Sequence, residues 1–179
     1  RHIEFSKDSK LQKIGNSAFE YTSIESITIP KEVKNIKNCA FQNCKQLRHI
    51  EFSNESKLQY IGACAFNDSS IESIIIPSDV IFIGKYAFSN KKFRYIDFSK
   101  NSKLQIIDEY AFINSSIESI KIPSDVTKIG KCAFRNCWKL RNINFSKKSK
   151  LKKIEEESFF ASSIKNIAIP SEFTVIGKN

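Results

Sequence analysis

The chain has 179 residues, 29 Lys and Arg against 19 Asp and Glu, a net charge of +10, two His, five Cys and no Met. That length allows one or two ordinary domains, and two histidines leave little material for a histidine-based catalytic or metal centre. The positive charge makes polyanions the first partner class to weigh.

The chain opens Arg1-His-Ile-Glu-Phe5-Ser, an alternation that predicts a strand with one buried face. A lysine-containing turn follows, then the apolar pair Leu11/Ile14, Gly15 and Ala18-Phe19. The next unit repeats the order: Ile24-Glu-Ser-Ile27-Thr-Ile29, Pro30, Val33/Ile36, Ala40-Phe41. Further strands are predicted at Leu47–Phe52, Ile71–Ile76, Phe93–Phe98, Ile117–Ile122, Leu140–Phe145 and Ile164–Ile169, each 22 to 24 residues after the last. Endings alternate between Phe-Ser and Ile-Pro, so the longer period is 46 or 47 residues. It is clearest where Ser69–Phe88 and Ser115–Phe134 repeat almost letter for letter. A fixed period of this kind predicts a solenoid. All four prolines end an Ile-Pro strand, and all five glycines follow an isoleucine, where a turn of positive φ is the expected use. The phenylalanines are expected in the core, those of Ala-Phe fully buried in every unit.

This unit, L-x-x-I-x-[LIF]-P-x-x-V-x-x-I-G-x-x-A-F-x-x-C, resembles the BspA-like leucine-rich repeat over nearly the whole chain. The resemblance implies an α/β-type solenoid: a curved array with a parallel concave sheet of about eight short strands, and turns or short helices on the convex side. It also implies a bacterial or protist surface protein. Lys37, Asp108 and Glu155 depart from the pattern by standing where glycine is usual. The chain starts and stops within a unit and shows no polar cap, so 1–179 is expected to be a single solenoid cut from a longer array. The absence of a leader or a span in it then says little about the parent protein, and this piece itself is not expected to insert in a membrane.

No polar constellation suggests catalysis, a metal or a cofactor, because almost every polar residue recurs with the array. Cys39, Cys64 and Cys132 share one column, Cys44 and Cys137 another. All five read as structural thiols, with a Cys39–Cys64 disulfide as the alternative. His2 and His49 sit two units apart, about 10 Å by strand spacing, too far for one metal ion. Lys7, Lys10, Lys57, Lys100, Lys103, Lys147, Lys148 and Lys150, with Lys152 and Lys153 nearby, form a basic flank. That flank could hold phosphate or sulfate, but it lacks the interleaved aromatics that stack bases, which argues against nucleic acid. The sequons Asn54, Asn67, Asn114 and Asn144 favour a secretory route. Trp138 precedes a strand, either packed or an exposed anchor.

The concave sheet is the expected working surface. Its central outward column reads Glu4, Thr28, Glu51, Ile75, Asp97, Lys121, Asn144, Ala168, and the one before it includes His49 and Tyr95. Ile75 and Tyr95, placed two strands apart, are the least expected residues on a solvated sheet. They are the leading contact candidates with Asp97, Lys121, His49 and Glu51. One position earlier the chain reads Arg1, Glu25, Arg48, Glu72, Arg94, Glu118, Arg141, then Lys165. Stacked in register, the first seven would form a ladder of alternating charge that ends at Lys165. The function expected is a non-enzymatic domain that binds protein or glycan at a cell surface. An intracellular scaffold is the alternative.

Overall fold

A computed structural model describes residues 1–6, 8–171 and 173–178. In chain order the strands are β1 (His2–Ile3), β2 (Lys13–Ile14), β3 (Ser26–Ile29), β4 (Asn35–Ile36), β5 (His49–Phe52), β6 (Tyr60–Ile61), β7 (Ser73–Ile76), β8 (Phe82–Ile83), β9 (Tyr95–Phe98), β10 (Ile106–Ile107), β11 (Ser119–Ile122), β12 (Lys128–Ile129), β13 (Asn142–Phe145), β14 (Lys153–Ile154) and β15 (Val175–Ile176). They wind as a parallel solenoid of eight coils, 1–23, 24–46, 47–70, 71–92, 93–116, 117–139, 140–163 and 164–178, each after the first opening with an apolar–x–x–Ile run.

Each coil has three parts. The odd-numbered strands up to β13 form the long-strand face. The even-numbered strands and β15, two residues each, form a second ladder, continuous over all eight coils in the order β2-β4-β6-β8-β10-β12-β14-β15. In coils 1 to 7 an arc carrying Ala-Phe, or Ser158-Phe159 in coil 7, closes the coil. Among the described residues the arc contains no helix, which corrects the expectation of short helices. Alternate N–H groups of the arc bond to the next coil, as Phe19 N–H does to Ala40 C=O (2.8 Å), and those between them bond three residues back, as Glu20 N–H does to Ser17 C=O (3.1 Å), so no i−4 helical ladder forms. Left-handed residues such as Ser17 (φ 53°) and Tyr21 (φ 58°) turn the chain every few positions.

The core is one row. Phe19, Phe41, Phe66, Phe88, Phe112, Phe134 and Phe159 stack ring on ring at 5.1 to 5.5 Å. The five inner rings are fully buried, whereas Phe19 and Phe159, near the ends of the stack, are only half-buried. The strand phenylalanines Phe52, Phe98 and Phe145 are also half-buried, while their Ile counterparts Ile29, Ile76 and Ile122 are fully buried.

The glycines are not the left-handed residues: every positive φ belongs to another residue type. Glycine serves close approach instead. A Cβ on Gly62 would lie 2.7 Å from the carbonyl carbon of Lys37 in the preceding coil.

The long-strand face is broken. It divides into β1-β3-β5, β7-β9 and β11-β13, with no ladder between β5 and β7 or between β9 and β11. The eighth expected strand, within 164–169, pairs with nothing in the described structure. Proline accounts for one missing rung at each break. Ser53 and Ser99, after their Phe, each donate an N–H to the preceding coil, to Ile29 and Ile76 C=O (both 3.0 Å). At the same place the next coils carry Pro77 and Pro123, which have no N–H for Phe52 or Phe98 C=O. The turns also differ in length, six residues from Phe52 to Leu58 against four from Ile29 to Val33.

Candidate binding groove

Register on the long-strand face follows the repeat: Ser26↔His49, Thr28↔Glu51, Ser73↔Tyr95, Ile75↔Asp97 and Lys121↔Asn144 are paired. Ile75 and Tyr95 therefore sit diagonally on directly paired strands, not two strands apart. Alternation turns both outward, 63% and 59% exposed, while Ile74 and Ile76 fill the core.

The break between β5 and β7 opens a groove of about 820 Å³. His49 and Glu51 line one wall, Tyr95 and Asp97 the other, with Ile75 between them. Five of the six contact candidates thus meet in one depression. Lys121 lies on β11, beyond the second break, and does not line it. The end wall is the turn 53–56, whose Asn54 and Glu55 were not among the contact candidates read from the sequence. Their signal was the greater length of the Phe-Ser turn. Asn54, one of the sequons, is exposed on that wall. Glu51, Glu55 and Asp97 make the groove acidic around an apolar centre, and Arg48 and His49 stand at its other end. Asp97 Oδ1 accepts the N–H of Phe98 (2.8 Å), which holds its carboxylate to the strand.

The other candidates resolve as follows. Backbone bonds join the charge-ladder positions as Arg48 N–H to Glu25 C=O (2.9 Å), Arg94 to Glu72 (2.8 Å) and Arg141 to Glu118 (2.9 Å). No bond of this kind crosses either break. Among the described residues the one ion pair in this row joins the Arg1 terminal amine to Glu25 (3.0 Å), and that amine holds the Glu25 carboxyl below its ordinary pKa. Arg141 and Lys165, where the alternation ends, share a second hollow with Asn142, Ser163 and Asn166. The basic flank is partly neutralised, since Lys57 pairs with Glu32 (2.8 Å), Lys103 with Asp79 (2.7 Å) and Lys150 with Asp125 (2.8 Å). Lys7 lies outside the described residues.

All five cysteines are free thiols. Cys44 and Cys137 are buried and donate to Phe19 C=O (2.8 Å) and Phe112 C=O (3.2 Å). Burial pushes the Cys137 thiol up to about 11. Trp138 is 67% exposed, so it is not a packed residue. The described residues include no group of three or more His, Cys, Asp or Glu able to hold a metal ion. No helix among them is long and apolar enough to cross a membrane.

Comparison with known proteins gives a family and a fold. Residues 12–125 and 59–179 match the family described as BspA type leucine rich repeat region. The pneumococcal vaccine antigen PcpA is similar in structure, with a TM-score of 0.56 at 21% identity over 93% of this chain and 64% of that one. A leucine rich cell surface protein of Faecalibacterium prausnitzii is similar with a TM-score of 0.54 at 23% identity, over 78% of this chain and 44% of that one. The chain thus spans under two thirds of the length of either. It has no significant match among curated proteins.

Proposed function

Because the chain belongs to the BspA-type leucine-rich repeat family, we propose that it is a non-enzymatic cell-surface domain that binds a protein or glycan ligand through the groove over the β5–β7 break, in adhesion or in contact with a host or matrix. The observation that carries this reading is the exposed pair Ile75 and Tyr95, framed by Glu51, His49 and Asp97 in one depression. Scattered exposed apolar residues are ordinary. An exposed Ile beside an exposed Tyr, in a groove ringed with hydrogen-bonding groups, is the composition of a binding site. The repeat assigns Ile74 and Ile76 to the core and leaves Ile75 and Tyr95 without a structural task. The surface assignment draws support from the two similar structures, a vaccine antigen and a cell surface protein.

The test is binding to a glycan array and a panel of matrix proteins. Ile75→Lys installs the residue that Lys121 supplies at the same place in the twin repeat, so folding is preserved. With Tyr95→Ala it should weaken any specific binding at least roughly tenfold, about 1.4 kcal/mol, at an unchanged melting temperature. Binding that survives both substitutions moves the site elsewhere.

A further inference from the structure

The twin segments 69–88 and 115–134 form an internal control. They differ at only four places: Ile75/Lys121, Ile81/Thr127, Phe82/Lys128 and Tyr86/Cys132. Every core residue of the first copy is shared, and the second adds the buried Cys132. None of the four side chains of the first copy is buried, and three are apolar where the second copy is polar or charged at neutral pH. Coil 4 therefore differs from coil 6 in what it shows to its surroundings.

Phe82 lies on the short-strand ladder in β8 and Ile81 directly precedes it, away from the groove. Phe82 is in register with Tyr60 on one side and Ile106 on the other, and the Tyr60 and Phe82 rings lie 6.5 Å apart. Tyr60 is 42% exposed, and Ile81, Phe82 and Ile106 are half-buried. Three successive coils thus carry an outward apolar stripe. Beyond it the same columns carry Lys13 and Lys34 towards the N-terminal coils and Lys128, Lys152 and Lys153 towards the C-terminal ones, interspersed with the uncharged Gln12, Asn35, Thr127, Thr174 and Val175. Neither column holds a carboxylate. Lys128 and Lys153 share Glu155 (3.2 and 2.9 Å), while Lys13, Lys34 and Lys152 have no ion-pair partner among the described residues.

This charge pattern selects the occupant. A second copy docked face to face would lay lysines on lysines in either twofold arrangement. A partner with an apolar centre and acidic ends matches. The ladder is two residues wide, about 7 Å, and its coils are spaced about 4.8 Å. An α-helix laid along the solenoid axis rises about 5.4 Å per turn, so residues at i, i+4 and i+7 meet successive coils. We propose that Tyr60, Ile81, Phe82 and Ile106 form the docking stripe for an amphipathic α-helix of a partner protein, with carboxylates at both helix ends facing the flanking lysines.

The probe is a fluorescent helical peptide of about 20 residues with leucines at i, i+4 and i+7 in the centre and glutamates towards both ends, followed by anisotropy. The double variant Ile81→Thr/Phe82→Lys installs the twin's own residues, which coil 6 accommodates at the same register, so it should melt like the native chain. It should bind at least roughly tenfold more weakly, as should a peptide with lysines in place of the glutamates. Equal binding by the variant, or no binding of the acidic-ended peptide to the native chain, overturns the proposal. So does a concentration-dependent dimer in sedimentation that the variant abolishes, since the stripe would then belong to a second copy.

Discussion

At Gly84 an added Cβ would lie 2.7 Å from the carbonyl carbon of Gly62, and at Gly15 it would meet nothing within 4 Å. The two positions are the same letter in the repeat and different in physics, because Gly84 lies against the backbone of coil 3 while no described atom lies as close to Gly15. Down the column the residues are Gly15, Lys37, Gly62, Gly84, Asp108, Gly130, Glu155 and Gly177. Each side chain that interrupts the series stacks on a glycine of the preceding coil, so no two of them are adjacent. Gly84→Ala should therefore cost about 1–3 kcal/mol, the range for overpacking, while Gly15→Ala should stay within about 0.5 kcal/mol. Urea melts of the two variants check this, and equal costs would mean that coil contact is not the reason for glycine. The cysteines give a second expectation at this scale. With all five free, a reducing agent should leave the melting temperature unchanged. Thiol alkylation of the native protein should reach half-buried Cys39 and Cys64 before Cys137, whose thiol burial keeps protonated to about pH 11.

Pairs of coils are the structural element that the 46-residue period encodes. Every ion pair between side chains of different coils, among the described residues, joins coils 2 and 3 (Lys45–Asp68, Lys57–Glu32), 4 and 5 (Lys85–Glu109, Lys103–Asp79) or 6 and 7 (Lys128–Glu155, Lys131–Glu156, Arg135–Glu157, Lys150–Asp125). The long-strand ladders β3-β5, β7-β9 and β11-β13 join the same pairs, and the shorter β1-β3 ladder adds coil 1 to the first of them. The alternation of Ile-Pro with Phe-Ser was plain in the letters, as was the missing proline N–H. Its consequence was not, because a donor lost from one coil becomes a gap only when register places a carbonyl opposite it. The same limit explains the groove. Ile75, Tyr95 and Asp97 could be read from strand alternation, but their gathering at a break depends on which neighbouring coils fail to pair. Ser99→Pro should remove the bond to Ile76 C=O and cost about 1–3 kcal/mol. Pro77→Ser should instead create a slowly exchanging amide at residue 77 and narrow the groove. If Ser99→Pro is neutral in a denaturant melt, the proline account of the breaks fails. For the charge ladder, a double-mutant cycle reversing Glu72 and Arg94, within one pair of coils, should give a coupling of about 0.2–1 kcal/mol, and a cycle on Arg94 and Glu118, across a break, should give roughly zero. Equal couplings would restore a ladder indifferent to the breaks.

For the molecule as a whole, two kinds of continuity compete. The phenylalanine stack, the short-strand ladder and the arc bonds run through all the breaks, and they favour a solenoid that unfolds as one body. The long-strand ladders and the ion pairs stop at the breaks, and they favour unfolding two coils at a time. Surface ion pairs are worth little, on the order of 0–1 kcal/mol each, so the missing ladder carries more of the difference than the missing charges. Solenoid stability is close to a sum of unit and nearest-neighbour terms, so the weaker interface sets where the array parts. Phe88→Ala tests this from the middle. The ring is buried and stacks on Phe66 (5.3 Å), Phe93 (5.2 Å) and Phe112 (5.5 Å), so its loss should cost about 3–5 kcal/mol. Phe93 and Phe112 belong to coil 5, within the same pair, and Phe66 to coil 3, across a break. Native-state hydrogen exchange should therefore show coils 4 and 5 losing protection together and by the most, with coils 2–3 and 6–7 retaining more of theirs. A fall in protection shared evenly by all the coils would mean that the continuous stack and the short-strand ladder dominate, and that the breaks shape the surface without dividing the fold.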